Sequence, residues 1–109
     1  MEQEHASLLT VAARCADACE QCAAACLAEE DVKQMADCIK LDGDCADLCR
    51  LVAAFAARGS SFTLLLSAVL ADLCKLCCAE CSKHPFDHCR VCAGACRACE
   101  AACSDVRNV

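Results

Sequence analysis

The last stretch of the sequence carries a cysteine on nearly every helical turn. In HCRVCAGACRACEAAC, from His88 to Cys103, five cysteines follow one another at steps of three and four residues. An α-helix repeats each of its faces at that spacing, so the five thiols share one stripe. Thiols gathered in this way can bind soft metal ions or form disulfides, and an isolated reactive thiol can carry redox chemistry.

The same spacing recurs along the rest of the chain. The sequence holds 16 cysteines in 109 residues, and they form seven Cys-x-x-x-Cys pairs. A single buried cysteine usually serves as packing, but so many on shared helical faces indicate a common ligand. We therefore interpret all of them as candidate metal ligands: Cys15, Cys19, Cys22, Cys26, Cys38, Cys45, Cys49, Cys74, Cys77, Cys78, Cys81, Cys89, Cys92, Cys96, Cys99 and Cys103.

Three short breaks, at residues 28–31, 58–61 and 83–85, divide the chain into four helical segments. The segments are about 20 to 27 residues long, rich in Ala and Leu, and free of strand-like alternation. We expect Gly59 to stop the second helix, a serine to cap the third, and Pro85 to lie in the first turn of the fourth. Short connections favour antiparallel neighbours. The predicted fold is all-α: one domain over residues 1–109, an up-down-up-down four-helix bundle with a cysteine-lined core.

Disulfide bonds are one alternative use of these thiols. Side chains four residues apart on a helix lie about 5–6 Å apart at Cβ, whereas a disulfide requires about 3.8 Å. Pairs within one helix would therefore distort it. Bridges between helices are possible, but thiols with several neighbours specify no unique pairing. A disulfide-stapled structural bundle stays open as an alternative.

Charge balance indicates which metal such a core would hold. Four thiolates around Zn²⁺ leave two surplus negative charges, and several such sites buried along one axis would be unfavourable. Cu(I) is soft, prefers thiolate and accepts low coordination numbers, so one ion per thiolate leaves no net charge. The sequence predicts a core that binds multiple Cu(I) ions, about one for each cysteine, with a zinc or general soft-metal buffer as the alternative. Iron–sulfur motifs and an isolated nucleophile are both missing from the pattern, so we do not expect an enzyme.

Charge and hydropathy argue against several classes of partner. A formal net charge of −6 disfavours nucleic acid, whose phosphates need a basic protein surface. The most apolar stretch, Phe62 to Leu73, is too short to cross a membrane. The N-terminal residues MEQEHASLLTVAARC contain neither a basic leader nor a long apolar run. We therefore expect a cytoplasmic, reducing location, where dense cysteine favours metal binding over disulfides.

Together these motifs resemble the cytosolic copper storage proteins, a family of cysteine-rich four-helix bundles that fill with Cu(I). The resemblance covers essentially the whole chain and rests on the Cys-x-x-x-Cys pairs of every segment, the run MADCIKLDGDCADLC and the close HPFDHCRVCAGACRACEAAC. It implies a homotetramer in the bacterial cytosol that admits copper at one end of each bundle. One departure is Asp42, which stands where the stripe predicts another cysteine.

The two ends of the bundle are predicted to differ. One end, beside the first and third breaks, holds Cys26, Cys38, Cys81 and Cys89. The other end holds residues that we interpret as an apolar plug: Leu8, Val52, Phe55, Phe62, Leu66 and Leu70. Copper should therefore enter at the cysteine end.

Three further residues at the cysteine end are candidate Cu(I) ligands of weaker affinity: Met35, His84 and His88. We expect ligand exchange from a small thiol or a copper chaperone to deliver the ion there. His5, at the opposite end, is expected in solvent. The stretch from Phe62 to Leu73 is apolar on more than one face, which predicts an oligomer contact.

Overall fold

Four α-helices form a bundle measuring 45 × 19 × 17 Å in the computed structural model, which describes residues 2–107. The helices are α1 (Glu2–Leu27), α2 (Ala36–Ala57), α3 (Thr63–Cys81) and α4 (Asp87–Arg107). A single 3-10 turn, Val32–Met35, leads into α2 and was not predicted from the sequence. The described residues contain no strand. The predicted all-α four-helix fold is confirmed.

Each helix packs against two others. α1 contacts α2 and α4, and α3 contacts the same two helices. Thiol contacts join the end of α1 to the beginning of α4, through Cys22 and Cys89, so neighbouring helices are antiparallel. Small side chains line the contacts, because the buried residues are mostly cysteine and alanine. Helices with such short side chains can approach closely around a common axis.

Gly59 ends α2 in the left-handed conformation, with a φ of 67°. The N–H of Ser60 donates to the carbonyl of Phe55 (2.9 Å), and the N–H of Gly59 donates to the carbonyl of Ala56 (3.1 Å). These two bonds form a Schellman motif, which satisfies carbonyls that the helix end leaves open. The predicted glycine stop is confirmed.

The beginnings of α3 and α4 differ from the sequence expectation. The N-cap of α3 is Phe62 rather than a serine. Ser60 accepts a hydrogen bond from the N–H of Phe62 through its hydroxyl (3.1 Å), so its side chain closes the turn before the helix. Pro85 precedes Asp87, the first residue of α4, by two positions. Both differences have the same reason. The turn after Gly59 continues through Phe62, and the turn that contains Pro85 continues through Phe86, so each helix begins later than the sequence signals indicate.

The predicted plug end of the bundle is closed by aliphatic side chains. Leu8, Val52 and Leu70 are completely buried, as predicted. Val106, which was not predicted, is also buried. The prediction is wrong for Phe62, whose side chain is 61% exposed, because the residue lies in the turn before α3 and points away from the axis.

None of the helices within residues 2–107 has the length and apolar character needed to cross a bilayer. His5 is half-buried rather than free in solvent. It lines a cavity of about 520 Å³ at the plug end, together with Leu9 and Arg58.

Two glycines give a paired test of this local geometry. Gly59→Ala should lower the free energy of unfolding by about 1 kcal/mol, because an L-residue is strained at positive φ. Gly43→Ala should raise it by about 0.8–1 kcal/mol, because Gly43 lies inside α2 and alanine is the better helix former. A Cβ at either position meets nothing within 4 Å. Urea unfolding of the reduced protein measures both changes. If the two variants changed the free energy of unfolding in the same direction, the left-handed conformation of Gly59 or the helical position of Gly43 would be wrong.

Candidate metal centre

Five groups of potential ligand atoms follow one another along the bundle axis. Within each group, four ligand atoms lie within 4.8 Å of one another, and every contributing side chain is buried. The groups are Cys22/Cys26/Cys38/Cys89, Cys22/Asp42/Cys81/Cys92, Cys19/Cys77/Cys92/Cys96, Cys15/Cys19/Cys45/Cys96 and Cys15/Cys49/Cys74/Cys99. Each group shares at least one cysteine with the next. The thiols therefore form a continuous series rather than separate sites.

The sulfur atoms are close, but they are not bonded. All sixteen cysteines are free thiols. Between helices, the Sγ atoms of Cys38 and Cys81 lie 3.6 Å apart and those of Cys19 and Cys92 lie 3.7 Å apart. An ion about 2.3 Å from each sulfur, the length of a zinc–thiolate bond, would fit between such a pair. A disulfide would require about 2.05 Å.

Two cysteines lie outside these groups in the part of the chain that the structure describes. Cys103 is completely buried beside Cys99 at the plug end. Cys78 is half-buried, and its Sγ accepts a hydrogen bond from Arg97 Nη1 (3.3 Å). Consecutive residues on a helix are separated by about 100°, so Cys77 faces the axis and Cys78 lies at the outer edge of α3. Its assignment as a ligand stays a prediction.

Asp42 lies among the thiols and is completely buried. Its Oδ1 accepts hydrogen bonds from Cys92 (3.2 Å) and Cys77 (3.3 Å). A weaker contact joins the same oxygen to Cys81 (3.7 Å). Burial raises the pKa of Asp42 to about 9, because a carboxylate loses its hydration in the core. Asp42, which stands where the sequence pattern predicts a cysteine, therefore places a carboxyl group within the series of thiols.

Hydrogen bonds between thiols couple their pKa values. The contact with Cys19 lowers the pKa of Cys15, and the same contact raises the pKa of Cys19. We call the end opposite the plug the open end, because a cavity lined by Met35 and His84 lies there. Near this end, the hydrogen bond with Cys38 lowers the pKa of Cys22, whereas burial raises the pKa of Cys89 to about 11. Neighbouring thiols therefore shift in opposite directions, because a hydrogen bond that one thiol donates lowers the pKa of the thiol that accepts it.

His88 joins the outermost group of thiols. Its Nδ1 lies 3.5 Å from the Sγ of Cys89, 3.6 Å from that of Cys22 and 3.8 Å from that of Cys26. Its Nε2 lies 2.8 Å from Oε2 of Glu29. Burial lowers the pKa of His88, but the hydrogen bonds with Cys22 and Glu29 outweigh that effect and raise it. The structure places this predicted ligand against the thiols.

His84 and Met35 lie at the same end of the bundle as His88. Both line a cavity of about 400 Å³ at the open end, together with Glu29, Glu30 and Phe86. Met35 is only 2% exposed. His84 pairs with Glu80, at 2.9 Å between Nε2 and Oε2. The two glutamate partners of the histidines, Glu29 and Glu80, were not singled out from the sequence.

The chain is similar in sequence to known cysteine-rich proteins over nearly its whole length. The family whose model matches residues 1–108 is described as copper storage protein. The uncharacterized cysteine-rich protein YhjQ of Bacillus subtilis (strain 168) is 38% identical over 103 residues, which cover 94% of this chain and 95% of that protein.

Two solved structures are also similar over nearly the whole chain. A cytosolic copper storage protein from Streptomyces lividans, solved with five coppers, is 38% identical with a TM-score of 0.96, covering 99% of this chain and 95% of the other. The Cu(I)-bound copper storage protein BsCsp3 is 35% identical with a TM-score of 0.89, covering 94% and 96% respectively.

The buried carboxyl group gives a pH test of the core. Asp42 ionises near its ordinary value of 3.8 in the unfolded chain but near 9 in the folded protein. The folded state therefore holds an extra proton between these values, and this contribution to stability is full below pH about 4 and is lost as pH rises toward about 9. Asp42→Asn keeps an oxygen acceptor and stays neutral. At neutral pH the variant should be more stable than the wild type by about 2 kcal/mol or more, with the difference vanishing in acid.

Urea unfolding of the reduced, metal-free proteins between acid and neutral pH measures this difference. Asp44→Asn, on the exposed face of the same helix, is the matched control. Parallel stability curves for the wild type and Asp42→Asn would show that the carboxyl group is not held neutral by burial.

Proposed function

This chain belongs to the copper storage protein family, and we propose from that premise that it stores multiple Cu(I) ions in the cytosol. The observation that carries the proposal is the unbroken series of buried thiol groups from the open end of the bundle to Cys99. A single structural site would need only one such group. Storage, rather than catalysis, accounts for a core built almost entirely of similar ligands.

The charge of the core favours a monovalent ion. Burial favours the neutral, protonated form of a thiol over the thiolate. The pKa of Cys89 is raised for this reason. Replacing each thiol proton with one Cu(I) leaves the core neutral, whereas a series of zinc tetrathiolates would accumulate negative charge. Sulfurs shared between neighbouring groups suit an ion that accepts bridging thiolates and low coordination numbers. The zinc buffer is therefore the weaker candidate.

The proposed ligands are the fifteen buried cysteines, with His88 at the open end. The plug end is closed by Leu8, Val52 and Leu70, so ions would enter past His84, Met35 and His88. Ligand exchange from a small thiol or a copper chaperone would deliver them. Cys78 lies outside the series, and we expect it to contribute little to capacity.

Copper titration with simultaneous measurement of released protons tests this mechanism. The wild type should release close to one proton per Cu(I), because each ion displaces a thiol proton. Release well below one proton per ion would contradict neutral exchange. Adding Zn²⁺ instead should saturate at a few ions.

Cys92→Ser should lower the copper capacity because Cys92 belongs to two groups, whereas Cys78→Ser, the matched control on α3, should leave it nearly unchanged.

An apolar stripe along α3 and the turn before it supports the proposal that the chain assembles as a homotetramer. Phe62, Leu65, Val69 and Leu76 are 61%, 64%, 51% and 59% exposed. Their spacing places them on one side of the helix, facing away from the thiols. Four large apolar side chains in one stripe are more than a solvated helix face requires. A contact between copies of the chain would remove them from water.

Sedimentation of a Leu65→Glu variant tests the assembly. A buried, unpaired carboxylate in the contact should shift the wild-type tetramer to smaller species. Leu27→Glu, at an equally exposed position on α1, should leave the tetramer intact. A wild type that sediments as a monomer would rule out this use of the stripe.

A further inference from the structure

Two histidine–glutamate pairs lie at the open end of the bundle, and they face different surroundings. We propose that Glu29 is a positioning residue, which fixes the tautomer of His88 so that the lone pair of Nδ1 faces the thiols of Cys22, Cys26 and Cys89. This inference rests on the proposed function only for its consequence, the faster capture of Cu(I) at the open end.

The hydrogen-bond geometry determines the tautomer. Oε2 of Glu29 lies 2.8 Å from Nε2 of His88, and an ionised carboxylate only accepts hydrogen bonds. The proton therefore lies on Nε2, which donates it to Glu29. In the neutral ring, Nδ1 is then left with its lone pair. That nitrogen lies 3.5 to 3.8 Å from three sulfur atoms.

Two further contacts hold the pair in place. The ring of Phe86 stacks on His88, with 5.4 Å between the ring centroids and 8° between the planes. The backbone N–H of Glu29 donates to the carbonyl of Cys26 (3.2 Å), which connects the glutamate to the last turn of α1. Glu29 and His88 are only about a quarter exposed, at 27% and 21% of their side chains. The carboxylate therefore approaches the ring from a fixed direction.

The second pair provides a natural comparison. His84 has the same bond to Glu80, at 2.9 Å, and that bond lowers the pKa of Glu80. Glu80 also accepts a hydrogen bond from Lys83 (3.2 Å). Among the described residues, no hydrogen bond joins the ring of His84 to a thiol. The pair of Glu29 and His88 therefore has thiols on the far side of its ring, whereas no thiol is hydrogen-bonded to the ring in the described pair of Glu80 and His84.

A fixed tautomer matters because a cation binds the nitrogen that carries no proton. If Glu29 were absent, the ring could rotate or present Nδ1–H to the incoming ion, and that site would have to rearrange first. Carboxylates that orient a metal-binding histidine typically contribute about 10- to 100-fold to metal affinity or activity. Glu29 would act in this way while touching neither the ion nor a sulfur.

NMR of the metal-free, reduced protein with ¹⁵N-labelled histidine, recorded above the raised pKa of His88 where its ring is neutral, tests the positioning directly. The wild type should show His88 protonated at Nε2, with a slowly exchanging ring proton. Glu29→Ala should expose that proton to exchange, and Glu29→Gln, which keeps an oxygen acceptor, should restore the wild-type signature. Glu30→Ala, which removes a charge from the same cavity, and Glu80→Ala should both leave the His88 signals unchanged. Circular dichroism verifies that each variant is folded.

Stopped-flow transfer of Cu(I) from glutathione measures the consequence. Glu29→Ala should slow the first phase of loading by about tenfold or more, Glu29→Gln should recover most of the rate, and Glu30→Ala should load like the wild type. An Nδ1–H tautomer in the wild type would overturn the inference, as would an unchanged loading rate in Glu29→Ala or an equal loss in Glu30→Ala. If the wild type takes up no copper, the storage proposal fails while the NMR result still decides the role of Glu29.

Discussion

A thiolate is unstable in a dry protein interior unless a positive charge accompanies it, and this constraint governs the bundle. Fifteen cysteines are buried around one axis, and their sulfurs lie as close as 3.6 Å. Protons keep this core neutral in the metal-free chain. In the proposed function, a monovalent soft ion takes the place of each proton, so the empty and filled cores carry the same charge. One helical scaffold can then accommodate both states.

The scaffold provides this core by keeping its side chains small. Alanine and cysteine dominate the buried positions, so the helices approach closely and the sulfurs come within bridging distance. The ends of the bundle differ in chemistry: Leu8, Val52 and Leu70 close one end, whereas His88, Glu29 and Met35 lie at the other. This polarity distinguishes the two ends of the series of thiols, and the proposed function uses the imidazole end for entry. Ions would fill it from the imidazole inward.

Helical periodicity made most of the fold and the core predictable, because steps of three and four residues identify one face of each helix. The same periodicity could not decide between the adjacent residues Cys77 and Cys78, of which only Cys77 faces the axis. Contacts between distant parts of the chain left no signal: Glu29 lies 59 residues before His88. Glu80 lies only four residues before His84, but His84 is in the turn after α3, so helical spacing did not identify this pair either. Phe62 was misplaced because its turn extends beyond Gly59.

Anomalous diffraction at the copper edge from crystals of the fully loaded protein tests the central claim most directly. The account predicts a row of copper peaks along the axis, each within bonding distance of two or more cysteine sulfurs, beginning beside His88 and ending near Cys99 and Cys103. Copper confined to the outer surface, or sulfurs joined in disulfides with no metal between them, would contradict it.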